Sequence, residues 1–304
     1  MVELSPAGGT DDALLRQGFA GDTFNTAWYL RALLPATRTV RYVSAVGVDA
    51  TSARMLTFME ANGIDTTHVA RLPGRTPGLY LISLSEGERS FTYWRSASAA
   101  RSLADDPARL AAALSGCRLA YLSGITLAIL PPAARGHLLQ ALAAFRAGGG
   151  LVAFDPNIRP ALWPDAATMR AGISAGYASA DIALPTFEDD AALFGDASPE
   201  GCAHRIAALG PYEIVVKNGP APALLHSAGR QSRLPVRKVV SPLDTTAAGD
   251  SFNAGWLAAR LGGACATEAV LAGQRLSARV ILHRGALMPM AGVQEASRTT
   301  EPQA

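Results

Sequence analysis

Leu243-Asp244-Thr245-Thr246-Ala247-Ala248-Gly249-Asp250-Ser251-Phe252-Asn253-Ala254-Gly255-Trp256-Leu257 reads as a strand end, a turn of small residues and then a helix. The helix continues through Ala258 and Leu261 until Gly262-Gly263 stops it. With no bulky side chain from Ala247 to Gly249, the turn brings several backbone N–H groups close to whatever binds there. Those groups stand at a helix N-terminus, where unpaired N–H groups and the positive end of the macrodipole favour an anion, most commonly phosphate.

A carboxylate at Asp250, in the first turn of that helix, would repel a phosphate if binding were its whole task. It makes sense as a base: in phosphoryl transfer an acceptor hydroxyl loses its proton beside the phosphate being moved, and a carboxylate accepts it. The competing reading is an ordinary turn at Asp244-Thr245-Thr246 followed by a helix-start acid. Local chemistry alone leaves both open.

A chain of 304 residues, 49% hydrophobic and 17% charged, suffices for one large α/β domain or two smaller ones. A net charge of +2 makes no field that would single out nucleic acid or a membrane surface. No apolar run reaches the roughly 18 residues of a membrane span. The opening Met1-Val2-Glu3-Leu4-Ser5-Pro6 lacks the basic and apolar regions of a signal peptide. The expectation is a cytoplasmic, soluble protein. Cys117, Cys202 and Cys265 are far apart without CxxC spacing, which predicts reduced, mostly buried thiols and no structural zinc.

Outward from the motif, strands and helices alternate. Residues 213–219 form a strand ending in Lys217-Asn218-Gly219, residues 181–185 a strand followed by a helix from Thr186 to Phe194, and residues 151–160 a strand ending in the polar cluster Asp155-Pro156-Asn157-Ile158-Arg159. Ligands of open α/β sheets sit beyond the carboxyl ends of strands, where that cluster lies. An ion pair between Asp155 and Arg159 is the bland alternative. Residues 119–125 are a buried-type strand, with helices over 107–114 and 132–147, and residues 265–283 are one long helix. Residues 40–47, 51–62 and 64–69 read as strand, helix and returning strand, one βαβ unit. Gly21-Asp22-Thr23 opens a helix to about Leu34, as an N-cap or as a ligand loop.

The texture changes at residues 75–95, where two strand-like runs joined by Ser85-Glu86-Gly87-Glu88 make a hairpin. Tyr93 and Arg95 share one face of the second strand and Trp94 takes the other. A phenol beside a guanidinium suits an acidic ligand; a solvated edge strand is the alternative.

The string DTTAAGDSFNAG resembles the C-terminal signature of the ribokinase/PfkB family of sugar kinases, usually DTTGAGD. Gly21, Asp22 and Asn25 match its N-terminal GG-x-x-x-N-x-A signature, with Ala20 in place of the first glycine. GLYLIS followed by GERSFTYWRSASAAR is similar to the members that act on the sugar acid 2-keto-3-deoxygluconate. The resemblance spans residues 1 to about 290. It implies a ribokinase-like three-layer sandwich: a mostly parallel central sheet and a small β-sheet lid, the lid from 1–20 and 72–98, the α/β catalytic domain from 21–71 and 99–290, and a mobile tail over 291–304. The family's usual first strand is missing, which exposes a neighbour's edge.

By the same resemblance ATP and Mg²⁺ are the cofactors and Asp250 the base. Ala247, Ala248 and Gly249 supply N–H groups to the migrating phosphoryl, and alanine for the family's first glycine asks for a negative φ at residue 247. Gly21, Asp22, Asn25, Tyr80, Tyr93, Arg95 and Arg159 hold the sugar acid, Arg159 also serving the transferring phosphoryl. Asn157, Thr186, Lys217, Gly219 and Gln274 face the nucleotide. Thr186 and Asp189 stand in place of the family's magnesium-organising N-x-x-E, so the metal ligands are left unassigned. The resemblance implies a homo-oligomer, a dimer through the lid, without nucleic-acid or membrane partners. Alternatives are a kinase of fructose, ribose or a related sugar, and an inactive sugar-acid or nucleotide binding protein; a dinucleotide-dependent dehydrogenase is weaker, because no G-x-G-x-x-G follows an early strand.

Overall fold

The structure, a computed structural model, describes residues 1–7, 14–85, 88–236 and 241–298. Its N-terminal part runs β1 (Val2–Pro6), β2 (Leu15–Phe19), α1 (Asp22–Leu33), β3 (Val40–Arg41), β4 (Ser44–Val46), α2 (Ala50–Ala61), β5 (Ile64–Asp65), β6 (Val69–Arg71), β7 (Leu79–Ser85) and β8 (Glu88–Trp94). The middle runs α3 (Pro107–Leu114), β9 (Leu119–Ser123), α4 (Gly124–Ile129), α5 (Pro132–Ala147), β10 (Leu151–Asp155), α6 (Ala166–Ala178) and β11 (Ile182–Ala183). The chain then continues through α7 (Phe187–Phe194), α8 (Pro199–Ala207), β12 (Glu213–Val216), β13 (Ala223–Ser227), β14 (Arg230–Leu234), α9 (Ala248–Leu261), α10 (Ala266–Val280) and α11 (Met290–Arg298).

Six strands make the central sheet, in the order β14-β13-β12-β11-β10-β9. The pairs from β9 to β12 are parallel, and β12 to β14 are antiparallel. Its inner strands β10, β11 and β12 are almost wholly buried because both faces are covered, as parallel sheets require. Alternate residues divide between two cores: Ala153 and Val215 pack with α1, α2, α9 and α10, while Val152, Phe154, Ile214 and Val216 pack with the helices from α3 to α8. The result is three layers. Gly255 and Gly273 set the close crossing of α9 on α10, since a Cβ on Gly255 would lie 3.0 Å from the Gly273 Cα.

A separate four-stranded sheet has the order β2-β1-β7-β8. Its register sets Tyr80 opposite Tyr93, and Tyr80 and Ile82 pack with Ala20 and Ala286 against the turn at Ala247. The Glu86-Gly87 turn of the predicted hairpin lies outside the described residues.

Residues 40–47 do not form the single expected strand. They divide because the two halves have different partners, β3 pairing in parallel with β5 and β4 with β6. β9 ends the central sheet, and a slot lined by Leu30, Met55, Leu110 and Leu138 runs between it and residues 40–46. The sequence 291–298 is not the expected loose tail: α11 packs on α1, with Val293 fully buried. Its polar residues disguise an amphipathic helix; residues 299–304 lie outside the described part. Of the thiols, Cys202 is buried, Cys117 half-buried and Cys265 exposed, where it caps α10. No helix among the described residues is long and apolar enough to cross a membrane.

Candidate active site

Asp250 lies in the first turn of α9, whose residues 250–257 are all buried. The turn before it is built by Asp244, whose Oδ1 accepts from the Thr246 N–H (3.0 Å) and hydroxyl (2.7 Å) and whose Oδ2 accepts from the Gly285 N–H (2.6 Å). Ala247 has φ 61°, left-handed, and not the negative value expected of alanine. The turn forces this because the chain must reverse into α9 there, at a cost of about 1 kcal/mol for a residue with a Cβ. The Ala248 N–H is also turned inward, to the Thr245 carbonyl at 3.2 Å. Among the described residues no partner takes the N–H of Ala247, Gly249 or Asp250. These three unpartnered N–H groups stand at the helix N-terminus, where an anion is favoured, and the Ala248 N–H is already engaged within the turn.

The Asp250 carboxylate accepts from Asn25 Nδ2 at 2.8 Å. Asn25 is oriented in turn by the Gly21 N–H, which donates to its Oδ1 (3.1 Å). Gly21 is the N-cap of α1, so neither Asp22 nor Thr23 caps it. Asp22 instead faces the cavity, accepting from the Ser123 hydroxyl and, at 3.4 Å, from Asn157 Nδ2. Burial, and then the Asp22 charge, push the Asp250 pKa up to about 8, against the Asn25 hydrogen bond and the more distant Lys217 charge that draw it down. Burial likewise raises Asp22.

On the other side of the turn, Lys217 extends from the end of β12. Its Nζ donates to Asn253 Oδ1 at 3.1 Å and to Asp155 Oδ2 at 3.4 Å. The alternative of an Asp155–Arg159 ion pair is not what the structure shows. Arg159 faces Asp189 at 3.7 Å, both side chains partly exposed, and Asp155 belongs to Lys217. Asn157 has φ 32°, which asparagine tolerates, and that kink turns Asp155, Asn157 and Arg159 into one cavity with Thr186 and Asp189.

At the far wall the Arg95 guanidinium lies 4.2 Å from the centre of the Tyr93 ring, and the Tyr93 and Tyr80 rings are 5.9 Å apart. Tyr80 donates its phenol to the Glu3 carboxylate. Burial lowers the Arg95 pKa, so an anion brought to it restores the charge balance of a partly desolvated cation.

One cavity of about 1150 Å³, including the slot, holds these groups. Gly21, Asp22, Asn25, Tyr80, Tyr93, Arg95, Asn157, Arg159, Thr186, Lys217 and residues 247–250 line it. A buried carboxylate beside free N–H donors and a lysine, with an arginine on the opposite wall, suits transfer of a phosphoryl group to a hydroxyl of an acidic molecule. The profile of the pfkB family carbohydrate kinases matches residues 10–291. The chain belongs to the pfkB family of carbohydrate kinases.

Two curated relatives are 2-dehydro-3-deoxygluconokinases. That of Dickeya dadantii is 40% identical over 300 residues, and that of Escherichia coli K12 is 41% identical over 299, each match covering 95% of this chain and 94% of the relative. Among solved structures, the PfkB protein of Polaromonas sp. JS666 superposes with a TM-score of 0.81 at 29% identity, covering 96% of both chains. As a pfkB kinase this chain is a phosphotransferase with the ribokinase-like fold. Two of the residues expected at the nucleotide do not line the cavity. Gly219 is exposed at a turn with φ 55°, and Gln274, on α10, has its Nε2 buried without a partner.

Sequence reasoning missed Glu3, Tyr121, Ser123 and Asn253. Asn253 had a signal: an amide in a helix of small and apolar residues, three positions after Asp250, is a polar group that must be satisfied if buried. Glu3 and Tyr121 had none, because only strand register sets which way they face.

Proposed function

We propose that this protein transfers the γ-phosphoryl group of ATP to the terminal hydroxyl of 2-keto-3-deoxygluconate, with Asp250 as general base. The observation that carries the reading is the buried Asp250 carboxylate beside the unpartnered N–H groups of Ala247 and Gly249, opposite Arg95. The two relatives about 40% identical over nearly their whole length favour the same acid.

Arg95, held over the Tyr93 ring, forks the substrate carboxylate, and the Tyr80 and Tyr93 rings pack on its carbon chain. Asp22 and Asn25 accept and donate to its hydroxyls. The acceptor hydroxyl then lies against Asp250, which takes its proton as the oxygen attacks the γ-phosphorus; the bond to the bridging oxygen breaks and ADP leaves. Charge on the moving phosphoryl is met by the α9 N–H groups, by Lys217 and by Arg159. Asn157 and Thr186 border the nucleotide. Asp189 and Thr186, hard oxygen donors at that end of the cavity, would hold Mg²⁺ through water, and the ion would supply neutralisation of phosphate charge.

The small sheet is the lid, and its closure limits wasteful hydrolysis by excluding water. Exposed Leu15 and Trp94 on that sheet favour a dimer formed through the lids. The cytoplasm is the compartment we assign. Phosphorus–proton correlation NMR of the product tests the regiochemistry: coupling to the terminal methylene is expected, and coupling to any other carbon-bound proton contradicts the reading.

A further inference from the structure

Behind the cavity wall, one turn of α9 beyond Asp250, Asn253 is fully buried and does not line the cavity. Its amide has three partners. Nδ2 donates to Asp155 Oδ2 at 2.7 Å and to the Tyr121 phenol at 3.1 Å, while Oδ1 accepts from Lys217 Nζ at 3.1 Å. Chemistry fixes which way the amide points: an ammonium cannot be an acceptor, and a carboxylate cannot be a donor, so the flipped amide would leave both contacts repulsive. The Tyr121 phenol, bonded also by the Thr26 hydroxyl at 3.4 Å, ties the same amide to α1.

Lys217 is the group this arrangement serves. A methyl group built on Gly249 would stand 3.6 Å from its Nζ, so the ammonium lies directly beside the anion-binding turn. A lysine stem has four rotatable bonds and does not place a charge by itself. The nearest carboxylate, Asp155, stands 3.4 Å from the Nζ, longer than a close ion pair. Asn253 accounts for that distance, because its Nδ2 occupies the Asp155 Oδ2 at 2.7 Å while its Oδ1 holds the ammonium on the side of the turn.

We propose that Asn253 is a positioning residue for phosphoryl transfer, acting through Lys217: its amide keeps the ammonium beside the turn of α9 and out of a closed ion pair with Asp155. This rests on the reading of Lys217 as a contact of the phosphates.

A double-mutant cycle in steady-state kinetics with Mg-ATP and the sugar acid tests it. Asn253→Ala is expected to lower kcat by about tenfold or more, with the KM of the sugar acid changed by less than about threefold. In the Lys217→Ala background the same change is expected to cost less than about threefold, because the group it positions is gone. Equal losses in both backgrounds would mean a general structural role and overturn the proposal. Asn253→Asp, which keeps the volume and turns the donation to Asp155 into a repulsion, carries the same cycle if the alanine variant does not fold. Wild-type kcat in Lys217→Ala would overturn the phosphate reading of Lys217 and this proposal with it, whereas loss of turnover in Asp250→Asn would still stand for the base.

Discussion

Asn25 and Asp250 are 225 positions apart in the chain, and the amide of the first donates to the carboxylate of the second at 2.8 Å. That bond joins the N-terminal loop, where we place the sugar, to the turn where we place the phosphate. It also opposes the burial that raises the Asp250 pKa to about 8. On the proposed reading, the base holds its proton to higher pH than an ordinary carboxylate, and the Asn25 hydrogen bond works against that.

The first consequence is kinetic. The kcat/KM for the sugar acid is expected to rise with pH along a limb near pH 8, since it follows ionisation of the free enzyme's base. Asp22 raises the Asp250 pKa through its charge, so Asp22→Asn is expected to move the limb to lower pH even where KM rises. A limb that stays in place in Asp22→Asn would contradict the coupling.

The same shift acts on stability, with a definite sign. The Asp250 pKa is raised above its ordinary 3.8, so its contribution is full below pH 4 and is lost as pH rises toward about 8. Asp250→Asn has no charge to bury. The variant is expected to be inactive yet more resistant to urea than the parent, with an advantage roughly 2–3 kcal/mol larger at pH 8.5 than at pH 6. An equal difference at both pH values would show that burial of the charge is not the cause.

Ala247 is held at φ 61°. Ala247→Gly removes the clash of the Cβ and adds freedom to the unfolded chain, and the first effect is the larger at this angle. A gain of about 0.5–1 kcal/mol in urea unfolding is expected. A loss would mean that the methyl group's packing against Tyr80 and Ala286 outweighs the backbone strain.

Arg95→Ala is expected to raise the KM of the sugar acid tenfold or more while leaving the KM of ATP near its original value, roughly the worth of one charge-assisted pair. An unchanged KM for the acid would remove Arg95 from the carboxylate's site.

Much of the site was legible because its residues sit in local patterns. The helix start within DTTAAGD and the polar cluster ending β10 place Asp250, Asn157 and Arg159 without any knowledge of distant contacts, and the parity of Tyr93 and Arg95 puts both on one face. What escaped depends on pairing between distant segments. The apolar run of residues 40–47 conceals the change of partner that divides it into β3 and β4. The partner of Arg159 is Asp189 and not its near neighbour Asp155, because α7 brings a carboxylate up to the end of β10. The left-handed Ala247 follows from how Asp244 closes the turn against Gly285, forty-one residues away. Polar spacing hid α11, whose buried Val293 is visible as a contact only once α1 is beside it.

The most direct test is ADP release from Mg-ATP by the purified protein, offering 2-keto-3-deoxygluconate beside gluconate, fructose and ribose, with Asp250→Asn as control. Turnover confined to the keto-deoxy acid and abolished in the variant is the predicted result. Turnover of fructose or ribose at a comparable rate, or an Asp250→Asn variant as active as the parent, would contradict the account.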